Sequence, residues 1–363
     1  MVSYVLAFLG FAALIILHEA GHFAAAKAVG MRVERFSLFF GPMLVRFRRG
    51  ETEYGIGPIP LGGYVKITGM NPNEDIPREA LPRAYYNQPV WKRIVVILAG
   101  PAVNLVIAFV LLFGIYLHQG TVATRHGQPV LTVGGPLRAP ASSFLKVKDQ
   151  IVAVDGRSNL TAAEVSQAIS RHRCAGAQVA GCQAQSPVRV TVRRSGQLRT
   201  LSIVPRYDTA VGRTLIGFEI GYLPQSVGAA GAAGTSLSQM WLVTHTTVTR
   251  IATLFEPRVR AQLHGVVGGF KVTQQRFAFN ATEALFTLAL ISLSLAVVNL
   301  FPFLPLDGGH VFWALAEKVR GRRISYRVLE RAGVIGFVLI IALFAIGFSN
   351  DISTLTGRGF ATR

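Results

Sequence analysis

Charge is scarce in this chain. Only 15% of its 363 residues are Asp, Glu, Lys or Arg, against 51% hydrophobic, and mean hydropathy is +0.42. That balance excludes an ordinary water-soluble globule and points to a membrane protein. Acidic residues are scarcer still, 18 against 37 basic, for a formal net charge of +19. Nucleic-acid binding does not follow from it. The basic residues are spread over loops that flank apolar runs, with no RNP, helix-turn-helix or finger pattern, so they read as topology determinants and contacts to the lipid bilayer. Basic residues are absent before the first apolar run, which therefore lacks the leading region of a secretory signal; Lys27, Arg32 and Arg35 follow it instead. It is expected to be an uncleaved helix.

What the chain does have is long apolar runs, four of them. Residues 1–30 hold the first, 91–118 the second (94–117 is free of charge), 284–306 the third and 332–350 the fourth. Each is long enough to span or nearly so, and four spans place both termini on one side. The loop 27–93 carries eleven Lys or Arg and 318–331 carries six. By the positive-inside rule these two loops are cytoplasmic, and the termini and the long segment 118–283 are outside. Both cysteines of the chain, Cys174 and Cys182, fall in that outer segment. A local disulfide and two free thiols both stay open.

One stretch conflicts with a lipid setting. "LHEAGH", residues 17–22, puts His18, Glu19 and His22 at the end of the first run. His-Glu-x-x-His sets two imidazoles one turn apart on one helix face, the spacing that lets both reach one zinc ion, with the glutamate beside any water the metal activates. Ionisable groups inside a span cost about 2.5 to 3.5 kcal/mol for the acid alone and are functional by default. A catalytic zinc needs a third protein ligand. Asp307, in "NLFPFLPLDGGH" at the cytoplasmic end of the third run, is the candidate, and His310 is its rival. Pro302 and Pro305 should break the helix there, and Gly308-Gly309 should let the backbone turn.

Between the spans the pattern turns soluble. "DQIVAVDGRS" alternates and turns at Asp155-Gly156, "TAAEVSQAIS" opens with a Thr161/Glu164 capping box, and "VRVTVRRSGQLRTLSIV" is two strands joined by a tight turn. The order over 126–222 resembles a single bacterial PDZ domain, which receives an extended peptide beside a strand. Residues 224–240 read as a Gly/Ala/Ser linker, within a 223–283 segment whose Trp241, Val248, Ile251 and Phe255 suit a helix on the membrane surface. In the loop 31–90, residues 50–69 read as a glycine-punctuated β-hairpin. Its open edge would accept a substrate, with Gly62, Gly63 and Tyr64 as candidate contacts.

HEAGH, "GPAVNL" at 100–105, the PDZ-like insert and "NLFP…LDGG" at 299–309 together resemble the site-2 protease family of intramembrane zinc metalloproteases, over nearly the whole chain. "RRGETEYGI" and "VNLFPFLPLDGGH" look like the single-PDZ actinobacterial members that act on anti-sigma factors. The resemblance implies a polytopic α-helical membrane protein with four transmembrane helices, a membrane-reentrant β-hairpin and one extracytoplasmic PDZ-like α+β domain, in the bacterial inner membrane. It implies Zn2+ held by His18, His22 and Asp307, Glu19 as acid/base, and Asn299 positioning the substrate backbone. Substrates would be single-span membrane proteins, an anti-sigma factor after a first outer cut or remnant signal peptides. Two features depart from the family: the second proline, Pro305, falls one position late, and one PDZ-like domain is present where Gram-negative relatives carry two. The rival class, a metal transport protein using the same ligands, would show inverted repeats. None is visible.

Overall fold

The computed structural model describes residues 2–71, 74–209, 211–253, 256 and 281–356. They form two compact units, one from residues 1–115 with 233–363 and one from Tyr116–Ala232. The first carries four helices long and apolar enough to cross a membrane.

Helix α1, Val2–Ala28, is an apolar run without proline. It ends in a Schellman turn: Gly30, at φ 83°, lets the Met31 amide reach Ala26 O and its own amide reach Lys27 O. Strands β1 (Val33–Phe40), β2 (Val45–Arg49), β3 (Thr52–Ile56) and β4 (Ile59–Ile67) follow. They make one sheet in the order β2-β3-β1-β4, with β1 parallel to β3 and antiparallel to β4. This corrects the expected 50–69 hairpin: the two strands of that stretch flank β1 and do not pair with each other. Strands β2 and β4 are the two edges of the sheet, and β4 is the edge on the side of α1 that carries Glu19. Ala26, Met31, Val33, Ile67, Tyr85, Val96 and Ile97 form the core where helix and sheet meet. Glu51 fastens the end of α1 to the loops, accepting from Lys27 Nζ at 2.5 Å and from Arg83 at 2.7 and 2.8 Å. Hydrogen bonds from Arg83 hold its carboxyl down to about 2.

Helix α2, Val90–Gln119, contains Pro101, which has no N–H to give to the preceding turn. Helix α4, Ala229–Ala252, begins inside the stretch expected to be a linker. The alanines of 229–233 are good helix formers, and Ala232 and Ser236 are fully buried, so packing outweighs the glycines. Met240 and Val243 pack with Leu105 and Ala108 of α2 and with Leu293 and Val297 of the third span. Ile251 lies in α4, whereas Phe255 and residues 257–280 of the expected surface helix lie outside the described residues.

That third span, α5, covers Ala281–Asn299 and stops short of 306, because Pro302 and Pro305 cannot donate and disfavour helix in the residues before them. Helix α6, Asp307–Arg320, restarts with Asp307 in its first turn, where a carboxylate suits the positive end of the helix. Helix α7, Tyr326–Thr356, holds the fourth candidate span, Arg327–Ser353.

The second unit is a sheet ordered β8-β7-β6-β5-β9, from Gln197–Ile203, Val188–Arg194, Gln150–Val154, Leu131–Gly134 and Glu219–Tyr222. Helix α3, Ala162–Ser170, covers it, and its Thr161/Glu164 capping box is formed at both bonds. Val188, Val190 and Val192 alternate into a core with Val133, Val154, Val165, Ile203 and Ile216, none more than 1% exposed. Each such side chain contributes about 1.5–3 kcal/mol. Ser195 and Gly196 both have positive φ, the requirement of the two-residue turn that joins β7 to β8. Cys174 and Cys182 are joined as a disulfide, their Cα atoms 6.1 Å apart.

Asp149 is 3% exposed and takes Arg194 Nε at 2.8 Å and Nη2 at 2.5 Å, with the Lys146 amide at 2.8 Å. Burial pushes its carboxyl up, but these hydrogen bonds win and hold it below the usual value. The stability it contributes is therefore present above the unfolded carboxyl value of about 4 and lost as pH falls through the folded one. Asp149→Ala is expected to remove about 3 kcal/mol of hydrogen-exchange protection from β6 and β7 at neutral pH. The loss should vanish at strongly acidic pH; unchanged protection at neutral pH would show that the pair does not hold the sheet.

Candidate metal centre

His18 and His22 lie four residues apart on α1, and both are 7% exposed. Their Nε2 atoms are 3.2 Å from each other, and 3.3 and 3.4 Å from Oδ2 of Asp307 at the start of α6. Among the described residues these three are the one His/Cys/Asp/Glu group whose ligand atoms converge closely enough for a metal. His310, the rival, is not part of it.

The far sides of the imidazoles decide which nitrogens carry protons. His22 Nδ1 donates to Val96 O at 2.8 Å, which leaves its Nε2 a bare lone pair. Asn104 Nδ2 lies 3.0 Å from His18 Nδ1, while Asn104 Oδ1 is buried without a partner. Exchanging the two amide atoms, which have nearly the same shape, would let Oδ1 accept from Nδ1–H and leave His18 Nε2 bare as well. Asp307 Oδ2 is also buried without a hydrogen-bond partner. In that arrangement three lone-pair atoms face one another, with no other group between them. A tetrahedral zinc with ligand bonds near 2.0–2.1 Å has donors about 3.3 Å apart, so two nitrogens and one oxygen at these separations fit it.

Glycines permit the approach. A Cβ on Gly100 of α2 would collide with His22 Nε2 and stand 2.9 Å from His18 Nε2, and one on Gly21 would stand 2.6 Å from Ala99 O. Small residues at this crossing let α1 and α2 pack backbone to backbone. On α6, a Cβ on Gly308 or Gly309 would strike the backbone of 300–304. Their role is close approach; neither has positive φ.

Glu19 is half-buried and sits against the sheet: a Cβ on Gly63 would lie 3.0 Å from its Cγ. The acid thus lies between the imidazole pair and the free edge β4. Tyr64 stacks on Phe40, centroids 6.0 Å apart, and a Cβ on Gly62, at φ 148°, would meet that Phe40 ring at 2.7 Å. Asn299 ends α5 and has no hydrogen bond to the cluster.

Asn104 stands inside the GPAVNL motif but has no role assigned by the motif reading, and the Val96 carbonyl has no place in it. The signal for Asn104 was an amide within an apolar run, where polar groups serve a purpose by default. A backbone carbonyl leaves no mark in sequence.

The profile of peptidase family M50 matches residues 6–343. A Nostoc sp. protein, provisionally named a zinc metalloprotease, is 31% identical over 355 residues, 95% of this chain and 94% of its own. The zinc metalloprotease Rip1 of Mycolicibacterium smegmatis is 29% identical over 382 residues, covering 90% and 88%. The chain belongs to peptidase family M50, the site-2 protease family, and is a zinc metalloprotease with a multi-pass membrane unit.

Proposed function

We propose that this zinc metalloprotease hydrolyses peptide bonds within membrane-spanning segments, with His18, His22 and Asp307 as the zinc ligands and Glu19 as the general base. The observation that carries the reading is the convergence of two imidazole nitrogens with the partnerless Oδ2 of Asp307, one residue away from an acid that borders an open strand. When bound, the metal supplies Lewis-acid polarisation of the scissile carbonyl and a water acidic enough to lose a proton near pH 7.

The chain's own groups do the rest. Val96 and Asn104 hold the two rings with Nε2 inward, so the ligand set is formed before the metal arrives. Glu19 takes the proton of the attacking water and returns it to the leaving amine, work worth about 10²–10⁴-fold in rate. A helical substrate has its peptide bonds hydrogen-bonded and covered, so it must unwind. The free edge of β4 offers replacement hydrogen bonds to an extended segment, with Gly62, Gly63 and Tyr64 flanking it. Asn299 remains a candidate for contacting the substrate backbone. An ion pathway would have no use for a base beside an open strand.

The second unit is proposed as an extracytoplasmic PDZ-like domain, on its strand order and capped helix and on the basic loops at 27–93 and 318–331 that favour the cytoplasm. The substrates proposed are anti-sigma factors after an outer cut, or remnant signal peptides.

Glu19→Gln should keep the fold and its zinc while lowering cleavage of a membrane-spanning reporter about 10²–10⁴-fold. Proteomics of membrane peptides that accumulate in cells carrying this variant would name the substrates; undiminished cleavage would remove Glu19 as the base. For the orientation, a membrane-impermeant maleimide should label Cys174 and Cys182 in intact cells once the disulfide is reduced. Labelling that requires lysis would invert the topology.

A further inference from the structure

Asp307 reaches the histidines from a helix of its own, and something must hold that helix. Glu317 lies ten residues along α6, about 15 Å on at the helical rise. Its Oε2 accepts from Arg93 Nη2 at 2.6 Å, and its Oε1 accepts from the Ile324 amide at 3.3 Å. The pair is well buried, with side chains 12% and 11% exposed. The Arg93 guanidinium also sits 5.8 Å over the ring of Tyr85, and its Nε is buried without a partner. An exposed ion pair would contribute little, but one this enclosed depends on each partner to neutralise the other.

Its position in the fold gives the pair its meaning. Arg93 is one helical turn before Val96 on α2, the residue whose carbonyl fixes His22, and Asn104 of the same helix meets His18. Tyr85, beneath Arg93, shares the core of Val96, Ile67 and Met31, against which Val311 of α6 packs. Helix α2 therefore orients both imidazoles and also holds the far end of the helix that presents the carboxylate. Besides this ion pair, α6 is held by Asp307, by Val311 against that core and, just past its end, by Arg323 on Asn87; the Arg93–Glu317 pair is the charged attachment that runs from α6 directly to α2.

We propose that Arg93 and Glu317 are positioning residues for the metal centre: their buried ion pair fixes α6 to α2, so that Asp307 is presented to His18 and His22 in ligating register. The inference rests on the ligand assignment above. It makes a local claim as well, that zinc affinity depends on a salt bridge at the opposite end of α6.

The test uses the purified full chain in detergent, with zinc affinity read by competition against a chromophoric chelator and ligand geometry by the visible absorption of the Co2+-loaded protein. Arg93→Gln and Glu317→Gln, each of which removes one charge of the pair, should each weaken zinc binding about 10-fold or more and alter the Co2+ spectrum. Turnover should fall with KM unchanged, since the β4 edge is untouched. The double variant should lose less than the sum of the two single ones, because the ion pair is removed in all three. Wild-type zinc affinity in either folded single variant overturns the proposal. Should the variants not fold, the wild-type protein decides by reciprocity: stripping its zinc should speed exchange of the Ile324 amide, and unaltered exchange overturns the proposal equally. Asp307→Asn separates the two levels. If that variant keeps full zinc affinity the ligand assignment fails; if it loses zinc while the Arg93 and Glu317 variants do not, only the positioning role fails.

Discussion

Three lone-pair atoms pressed to within 3.2–3.4 Å of one another among apolar helices are the constraint on which the membrane unit depends. None of them stabilises the others unless a proton or a cation stands between; the Val96 carbonyl holds the His22 proton on the far side of its ring, and the Asn104 amide meets His18 at the same far position. A divalent metal held by these three, as proposed, would convert that mutual repulsion into attraction. The expensive motif in a hydrophobic span is then a feature stabilised by its ligand, as binding to the folded state alone requires.

Much of the surrounding sequence is explained by getting backbones close to this point. Gly21 and Gly100 remove side chains from the α1–α2 crossing where any Cβ would clash, and Gly308 and Gly309 do so for α6 against its own preceding loop. The prolines 302 and 305 end α5 so that Asp307 can open a new helix. The sheet completes the arrangement by setting β4, one of its two edge strands, next to Glu19. The Tyr116–Ala232 unit is stabilised separately, by its own valine-rich core and the Asp149–Arg194 pair.

What could be read in advance follows from how local each signal is. HEAGH is a helical spacing and the four spans are runs of composition, so both are plain in the sequence, as are the Thr161 capping box and the Ser195-Gly196 turn. The sheet order is not, because a strand's partner depends on tertiary packing: two adjacent β-like stretches suggested a hairpin, and β1 sits between them. Glycine-rich 224–240 suggested a linker, yet the small residues at Ala232 and Ser236 are what allow α4 to be buried there. Asp307 was found through its isolation near a span. Val96 leaves no signal because its contribution is a carbonyl, common to every residue, and the GPAVNL motif shows Asn104 without its contact, because it lies 86 residues from the histidine it meets.

The central claim is the ligand set, and zinc K-edge X-ray absorption on the purified protein tests it most directly. A first shell of nitrogen and oxygen only, with outer-shell scattering from two imidazoles, is the expected result. A third imidazole, which would bring in His310, or a preparation that holds no stoichiometric zinc would contradict it.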